Sequence, residues 1–98
     1  MDVRFARGLR ECFEDVEEGK KAWGEAIARK FIQRVEVLLA AKELQELRTI
    51  RSLRFHQLKG GREGEFAIDL NDQWRLVLIQ VEGGTGVLIK EVTNHYDD

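Results

Sequence analysis

The chain contains a single cysteine, Cys12, so no internal disulfide can form, and the expected address is a reducing cytoplasm. It has two histidines, His56 and His95, and no Cys/His cluster with zinc spacing. No apolar run approaches the roughly 18–20 residues that cross a bilayer, so no membrane span is expected. The opening residues MDVRFARGLREC lack an apolar h-region and do not read as a secretory signal. Internal repeats and low-complexity linkers are missing as well. Net charge is small: 16 Lys and Arg against 18 Asp and Glu leave −2. What is present is an ordinary globular mixture, 43% apolar and 35% charged over 98 residues, too rich in Leu, Ile, Val and Phe for disorder. A chain of this length buries roughly 60–65% of the surface it exposes unfolded, enough for one modest core. Residues 1–98 therefore read as one domain.

The low net charge conceals an uneven distribution. Residues 48–62 read RTIRSLRFHQLKGGR, with Arg48, Arg51, Arg54, Lys59 and Arg62 and no acid. An earlier stretch is acid-rich, with Glu11, Glu14, Asp15, Glu17 and Glu18. A local basic band matters more for anion binding than the chain total does. The alternative is a solvated face whose charges balance in three dimensions.

Hydrophobic periodicity divides the chain. Val3 and Phe5 alternate with Asp2 and Arg4, as in a short strand. Leu9, Cys12, Phe13 and Val16 recur at helical spacing and predict a short helix ending near Gly19. From Ala22, one stripe of Trp23, Ile27, Phe31, Val35, Leu38 and Leu39 predicts an amphipathic helix of about five turns. A shorter helical stretch, 41–47, turns Leu44 and Leu47 inward. Leu53, Phe55 and Leu58 then suit an extended segment, and the glycines of KGGREG make 59–64 a loop. Phe66, Ile68 and Leu70 alternate with Glu65, Ala67 and Asp69, the pattern of a half-buried strand. Asn71 and Asp72 mark a turn. Residues 74–81 are almost wholly apolar and predict a central strand, and Val87 to Val92 a further one after the Glu82-Gly83-Gly84 turn. The expected class is α+β: a small antiparallel β-sheet with one face covered by two N-terminal helices, in the order β-α-α-β-β-β.

The stretch FHQLKGGREGEFAIDLNDQWRLVLI resembles the central block of RelE/HigB-type toxins, the plasmid-maintenance killer proteins of bacterial type II toxin–antitoxin systems. The matching positions are His56, Leu58, Lys59, Gly60, Asn71, Trp74, Arg75 and Leu76. The helical segment ending ELQELRTI is similar too, and the likeness runs over about four-fifths of the chain. HigB-type members close with Asp-Tyr-His, whereas this tail reads Thr93-Asn94-His95-Tyr96-Asp97-Asp98, with imidazole and aromatic in inverted order. The resemblance implies a small sheet with two N-terminal helices and endonucleolytic cleavage of messenger RNA in the ribosome. It also implies no metal or other cofactor, and a cognate antitoxin, often a helix-turn-helix protein of the HigA type. A basic cleft of this kind must be masked, by an antitoxin segment that adds a strand or lays a helix in a groove. The same fold includes members that poison gyrase by binding it, so a ParE-like or degenerate antitoxin-binding protein without enzymatic activity is the alternative.

Cleavage of RNA without a metal uses the substrate's 2′-hydroxyl as nucleophile. The enzyme must take its proton, stabilise charge on the phosphate and protonate the leaving 5′-oxygen. Histidine suits the proton steps, so His56 and His95 are the candidate acid/base pair; otherwise they are a structural residue and a tail residue. Arg75 interrupts an apolar strand, where an unpaired guanidinium is costly. Its planar fork fits a phosphate in the transition state, and the alternative is an internal ion pair with Asp69, Glu91 or Asp97. Lys59, at the mouth of the glycine loop, is a candidate phosphate or oxyanion ligand, although KGGREG lacks the spacing of a P-loop. Tyr96 is placed to stack on a base or donate a proton; its alternative is to cover the sheet edge. Arg48, Arg51, Arg54, Arg62 and Asn94 complete the expected RNA-binding set, with pairing to an acidic antitoxin or solvated loop charge as the alternative for the arginines. Trp23, Phe31 and Trp74 belong to the core on this reading, and Cys12 is a buried small hydrophobe.

Overall fold

The computed structural model describes residues 1–94. The elements are β1 (Asp2–Phe5), α1 (Leu9–Glu14), α2 (Val16–Trp23), α3 (Glu25–Ala40), β2 (His56–Gln57), β3 (Glu65–Asp69), β4 (Arg75–Val81) and β5 (Gly86–Thr93). Two 3-10 turns, Leu44–Thr49 and Arg51–Leu53, lead from α3 into β2. The class is α+β, as the periodicity implied.

Local chemistry explains the helix boundaries, and here the structure corrects the sequence pattern. The predicted helix from Leu9 to Gly19 is two helices. Asp15 is extended between them, and its Oδ1 accepts from the Glu17 amide at 3.0 Å, capping α2. The stripe beginning at Trp23 is likewise cut, because Gly24 sits at φ 85, ψ 166, a region open to glycine and little else. Trp23 therefore ends α2, and α3 carries Ile27, Phe31, Val35 and Leu38 to the core. Gly19 allows the two helices to meet closely: a Cβ there would stand 2.9 Å from the Ala28 Cβ. The predicted helical stretch 41–47 is instead a 3-10 turn from Leu44, with Leu44 and Leu47 buried as the spacing required.

The five strands run in the order β1-β5-β4-β3-β2. Neighbours pair antiparallel from β2 through β5, but β1 pairs parallel with β5, matching Val3 to Val87 and Phe5 to Ile89. The sheet is mixed, a correction to the all-antiparallel expectation. The short alternating segment at the start announced a strand but carried no information on direction.

Helices cover one face. Phe66, Ile68 and Leu70 of the β3 region, Leu76 and Leu78 of β4, and Val87 and Ile89 of β5 form one core with the α3 stripe, Cys12, Leu44, Leu47 and Leu53. Trp23 meets Phe31 at a ring separation of 5.1 Å, and Trp74 packs against the same core. Among the described residues, the opposite face holds a small apolar patch of Leu58, Ala67 and Val77, which includes no helix residue.

Candidate active site on the helix-free face

Strand alternation and register assemble this face. His56 lies opposite Ala67, Ala67 opposite Val77, and Val77 opposite Glu91, making one transverse row. The next row is Asp69, Arg75 and Thr93. Since Val77 and Ala67 point away from the helices, period-two alternation puts His56, Asp69, Arg75 and Thr93 on the same side. Arg54 joins them from just before β2, its Nε 3.6 Å from Asp69 Oδ2.

His56 is half-buried, and its Nδ1 lies 2.8 Å from the Arg54 carbonyl. A carbonyl only accepts, so Nδ1 carries the proton in this contact, and in the neutral ring Nε2 is the basic nitrogen. The carbonyl is aimed there by an unusual backbone: Arg54 is left-handed at φ 50, one of two non-glycine residues with positive φ among the described residues. Such conformations in non-glycine residues are uncommon and mildly strained.

Arg75 is only 2% exposed. In this conformation its guanidinium offers almost no surface to a ligand and stands as fixed positive charge behind the face, with Asp69 as register partner. Burial pushes the Asp69 carboxyl above its ordinary value, against the opposing pull of Arg54, His56, Arg75 and Arg34. Arg34 reaches the same strand end from α3, donating from Nε to the Asp69 carbonyl at 2.8 Å. Its own guanidinium is held below the usual arginine value by burial, with Asp69 opposing.

The other predicted residues are distributed unevenly. Lys59 is exposed at the start of the loop that leaves β2. Arg62, in the same loop, donates from Nη2 to Glu65 Oε1 at 2.9 Å, an internal ion pair rather than a solvated charge. Asn94 is exposed directly after Thr93. Arg51 is exposed in the second 3-10 turn. Arg48 sits apart from the His56 row: its guanidinium lies 5.0 Å over the Phe55 ring, which stacks on Phe66 of the core-facing side. His95 and Tyr96 lie outside the described residues. Cys12 is buried, and burial raises its thiol pKa with help from Glu18 and Glu11, as suits a packing residue.

Comparison with known proteins decides the family. A model of the RelE-like toxin of the type II toxin–antitoxin system HigB matches residues 4–95. The chain belongs to the HigB-like toxin family. No curated protein sequence matches it. Among solved structures, YafQ from E. coli strain BL21(DE3) is similar at a TM-score of 0.68 and 13% identity, over 96% of this chain and 92% of YafQ. The YoeB/ParE toxin from Agrobacterium tumefaciens is similar at 0.59 and 13% identity, over 98% of this chain and 100% of its own. The E. coli DinJ-YafQ toxin-antitoxin complex contains a chain similar at 0.56 and 14% identity, over 96% of this chain and 91% of its own.

In this HigB-like toxin the block from Asn71 to Arg75 has a visible local role. Asn71 Oδ1 accepts from the Gln73 and Trp74 amides at 2.8 and 2.7 Å, closing the turn that delivers Arg75 to the first position of β4. Sequence reasoning overlooked Glu65, Lys90 and Arg34. Glu65 was visible as the polar phase of the β3 alternation. Lys90 was not, because a bulge between Val77 and Leu78 adds a residue to β5 and breaks the strict alternation. Lys90 Nζ consequently reaches Glu65 Oε2 at 3.1 Å. Nothing in a helical stripe distinguishes Arg34 from the polar residues around it.

Proposed function

We propose that this toxin is an endoribonuclease that cleaves messenger RNA on the ribosome. The observation that carries the proposal is the row on the far side of the sheet: an imidazole whose Nδ1 meets the Arg54 carbonyl, flanked by Arg54, Asp69 and Arg75 on a surface that no helix of the described residues covers. Nε2 of His56 accepts the proton of the 2′-hydroxyl. The 2′-oxygen attacks phosphorus, the bond to the 5′-oxygen breaks, and the products are a 2′,3′-cyclic phosphate and a 5′-hydroxyl. Proton return to the 5′-oxygen falls to His95 or Tyr96 on this reading. Lys59 contacts the phosphate. Arg75 acts as a positioning residue, its buried charge orienting Asp69 and the arginine beside it and lowering the energy of an anionic phosphorane through the field. Arg48, Arg51, Arg54, Arg62 and Asn94 hold the RNA backbone without reading its sequence. The chemistry requires no metal ion.

An antitoxin partner completes the proposal. The solved DinJ-YafQ pair is a toxin-antitoxin complex, and we extend that pairing to this chain with a helix-turn-helix, HigA-like protein as the specific partner. Among the described residues no helix is long and apolar enough to cross a membrane; cytoplasmic action beside ribosomes is part of the same proposal.

The test is purified protein on translating ribosomes with the 5′ ends of the transcript mapped. Cuts inside translated codons, ending in cyclic phosphate, are expected; they should disappear in His56→Ala combined with His95→Ala while circular dichroism is unchanged. Undiminished cutting by that variant rejects the catalytic assignment. One observation favours a second reading, a binding protein without nuclease activity: Arg75 is buried and Glu65, Asp69 and Glu91 share its face. Intact transcripts with gyrase-linked DNA breaks, or a tight antitoxin complex alone, would select it.

A further inference from the structure

Beside the His56 row, the helix-free face carries a second constellation. Glu65 opens β3, with Ile79 opposite it on β4. Its carboxylate is gripped at both oxygens. Oε1 accepts from Arg62 Nε at 3.1 Å and Nη2 at 2.9 Å, and Oε2 accepts from Lys90 Nζ at 3.1 Å. Arg62 Nη2 also stands 3.9 Å from Glu91 Oε1. Glu65 is largely covered, with a side-chain exposure of 16%, while Arg62 and Lys90 keep 26% and 41%. Burial alone would raise the carboxyl, but the hydrogen bonds from Lys90 and Arg62 hold it below the ordinary glutamate value.

An arginine fork and an ammonium converging on one carboxylate from different elements make the donor set that binds a phosphodiester. The arginine comes from the glycine loop and the lysine from the β5 bulge, and both side chains keep a solvent-facing portion. We infer that Glu65 is a built-in stand-in for phosphate: it occupies a backbone-phosphate subsite formed by Arg62 and Lys90, and single-stranded RNA gains those two cations only by displacing the carboxylate. The inference rests on the RNA-cleaving reading above and deepens it, by assigning two of the RNA contacts and the group that withholds them. It also accounts for the near-neutral charge of a chain whose candidate site faces a polyanion: part of its positive charge is held in reserve on the sheet.

The experiment measures binding of a fluorescein-labelled single-stranded RNA by anisotropy across a salt series, with wild-type protein and Glu65→Gln. Each cation released to a phosphate steepens the slope of log affinity against log salt by about 0.7, so a slope steeper by about 1.4 is expected, with affinity raised roughly tenfold at low salt. Glu63→Gln changes the net charge equally from an exposed position in the same loop; equal gains from the two variants would mean a bulk charge effect and overturn the inference. Adding Arg62→Ala and Lys90→Ala to Glu65→Gln should erase the gain, and persistence of the gain also overturns it. Should Glu65→Gln impair folding, Glu65→Asp carries the test: one methylene shorter, it loosens the grip on both cations, and a partial rise is expected where no rise refutes. RNA binding by the wild type with no change in any Glu65 variant sinks this inference alone, whereas no binding by any of the proteins sinks the RNA reading itself.

Discussion

From β4, Leu76 and Leu78 turn one way into a core completed by α3, while Arg75 and Val77 turn the other way onto a face that no helix of the described residues covers. The first face is made of side chains that need only fill space. The second puts Arg54, His56, Glu65, Asp69, Arg75, Lys90 and Glu91 around a patch of three apolar residues. A small domain that must both hold together and present charge divides the tasks by strand alternation. The helix side carries most of the stability, and the far side is then open to polar groups that would be expensive in a core. The division predicts that the faces answer differently to substitution.

The largest effects on stability belong to the helix side. Phe31→Ala and Leu78→Ala, both at fully buried positions, should each cost about 3–5 and 2–5 kcal/mol, read from urea unfolding. Val77→Ala, equally buried but set in the small patch, should cost well under either. Equal losses would break the comparison and mean that the helix-free face has its own structural core.

Function should show the reverse. His56→Ala removes the proposed general base and should lower transcript cleavage by about 10²–10⁴-fold. The same substitution should cost less stability than either core truncation, because the ring is only half-buried. A protein that loses activity only in proportion to its unfolding would remove His56 from the chemistry.

A smaller effect tests the turn joining the two roles. Asn71→Ala withdraws the acceptor of two amides before β4, and should cost about 1 kcal/mol, or roughly 4–8 °C in Tm. Activity should fall more than this loss explains if the turn sets where Arg75 enters the sheet; a purely structural turn would move Tm and leave the rate of the folded protein unchanged.

How much of this was legible beforehand follows from the same alternation. Phe66, Ile68 and Leu70 announced a strand with one buried face, and the apolar run after Trp74 announced its central neighbour; both are where the pattern put them. The family block pointed to His56 and Arg75, which register then sets in adjacent rows. The misses are of two kinds. Helix breaks at Asp15 and Gly24 turn on a single backbone conformation each, which a hydrophobic stripe averages over. Partners distant in sequence, such as Lys90 with Glu65 and Arg34 with the Asp69 carbonyl, exist only through a bulge or a helix crossing, and no local period encodes either. Burial of Arg75 falls in the second class: the strand pattern identified an interrupting charge, while its near-complete cover depends on the assembled sheet.

The finest test of the divided sheet is its acid titration, because two carboxylates on the same strand should act in opposite directions. Glu65 is lowered in the folded protein despite its burial, through Lys90 and Arg62. Its contribution to stability is therefore complete above the unfolded glutamate value of about 4.3 and disappears as pH falls through the lower folded value. Asp69 is raised, chiefly by burial. Below the unfolded aspartate value of about 3.9 it is protonated in both states and contributes nothing; as pH rises from there through the higher folded value, the folded state must ionise a carboxyl it holds poorly, and stability declines to a constant penalty above. On acidification, then, Asp69 returns stability as pH falls through its raised folded value, and Glu65 withdraws it as pH falls through its lowered one. Urea unfolding of Glu65→Gln and Asp69→Asn between neutral pH and pH 3 separates the two, since each variant should lose its own branch and keep the other. Carbon-13 titration of the side-chain carboxyls gives both directions, and an Asp69 carboxyl that is not raised above the ordinary aspartate value, or a Glu65 carboxyl that is not lowered below the ordinary glutamate value, would refute the assignment of burial to one and of the paired cations to the other.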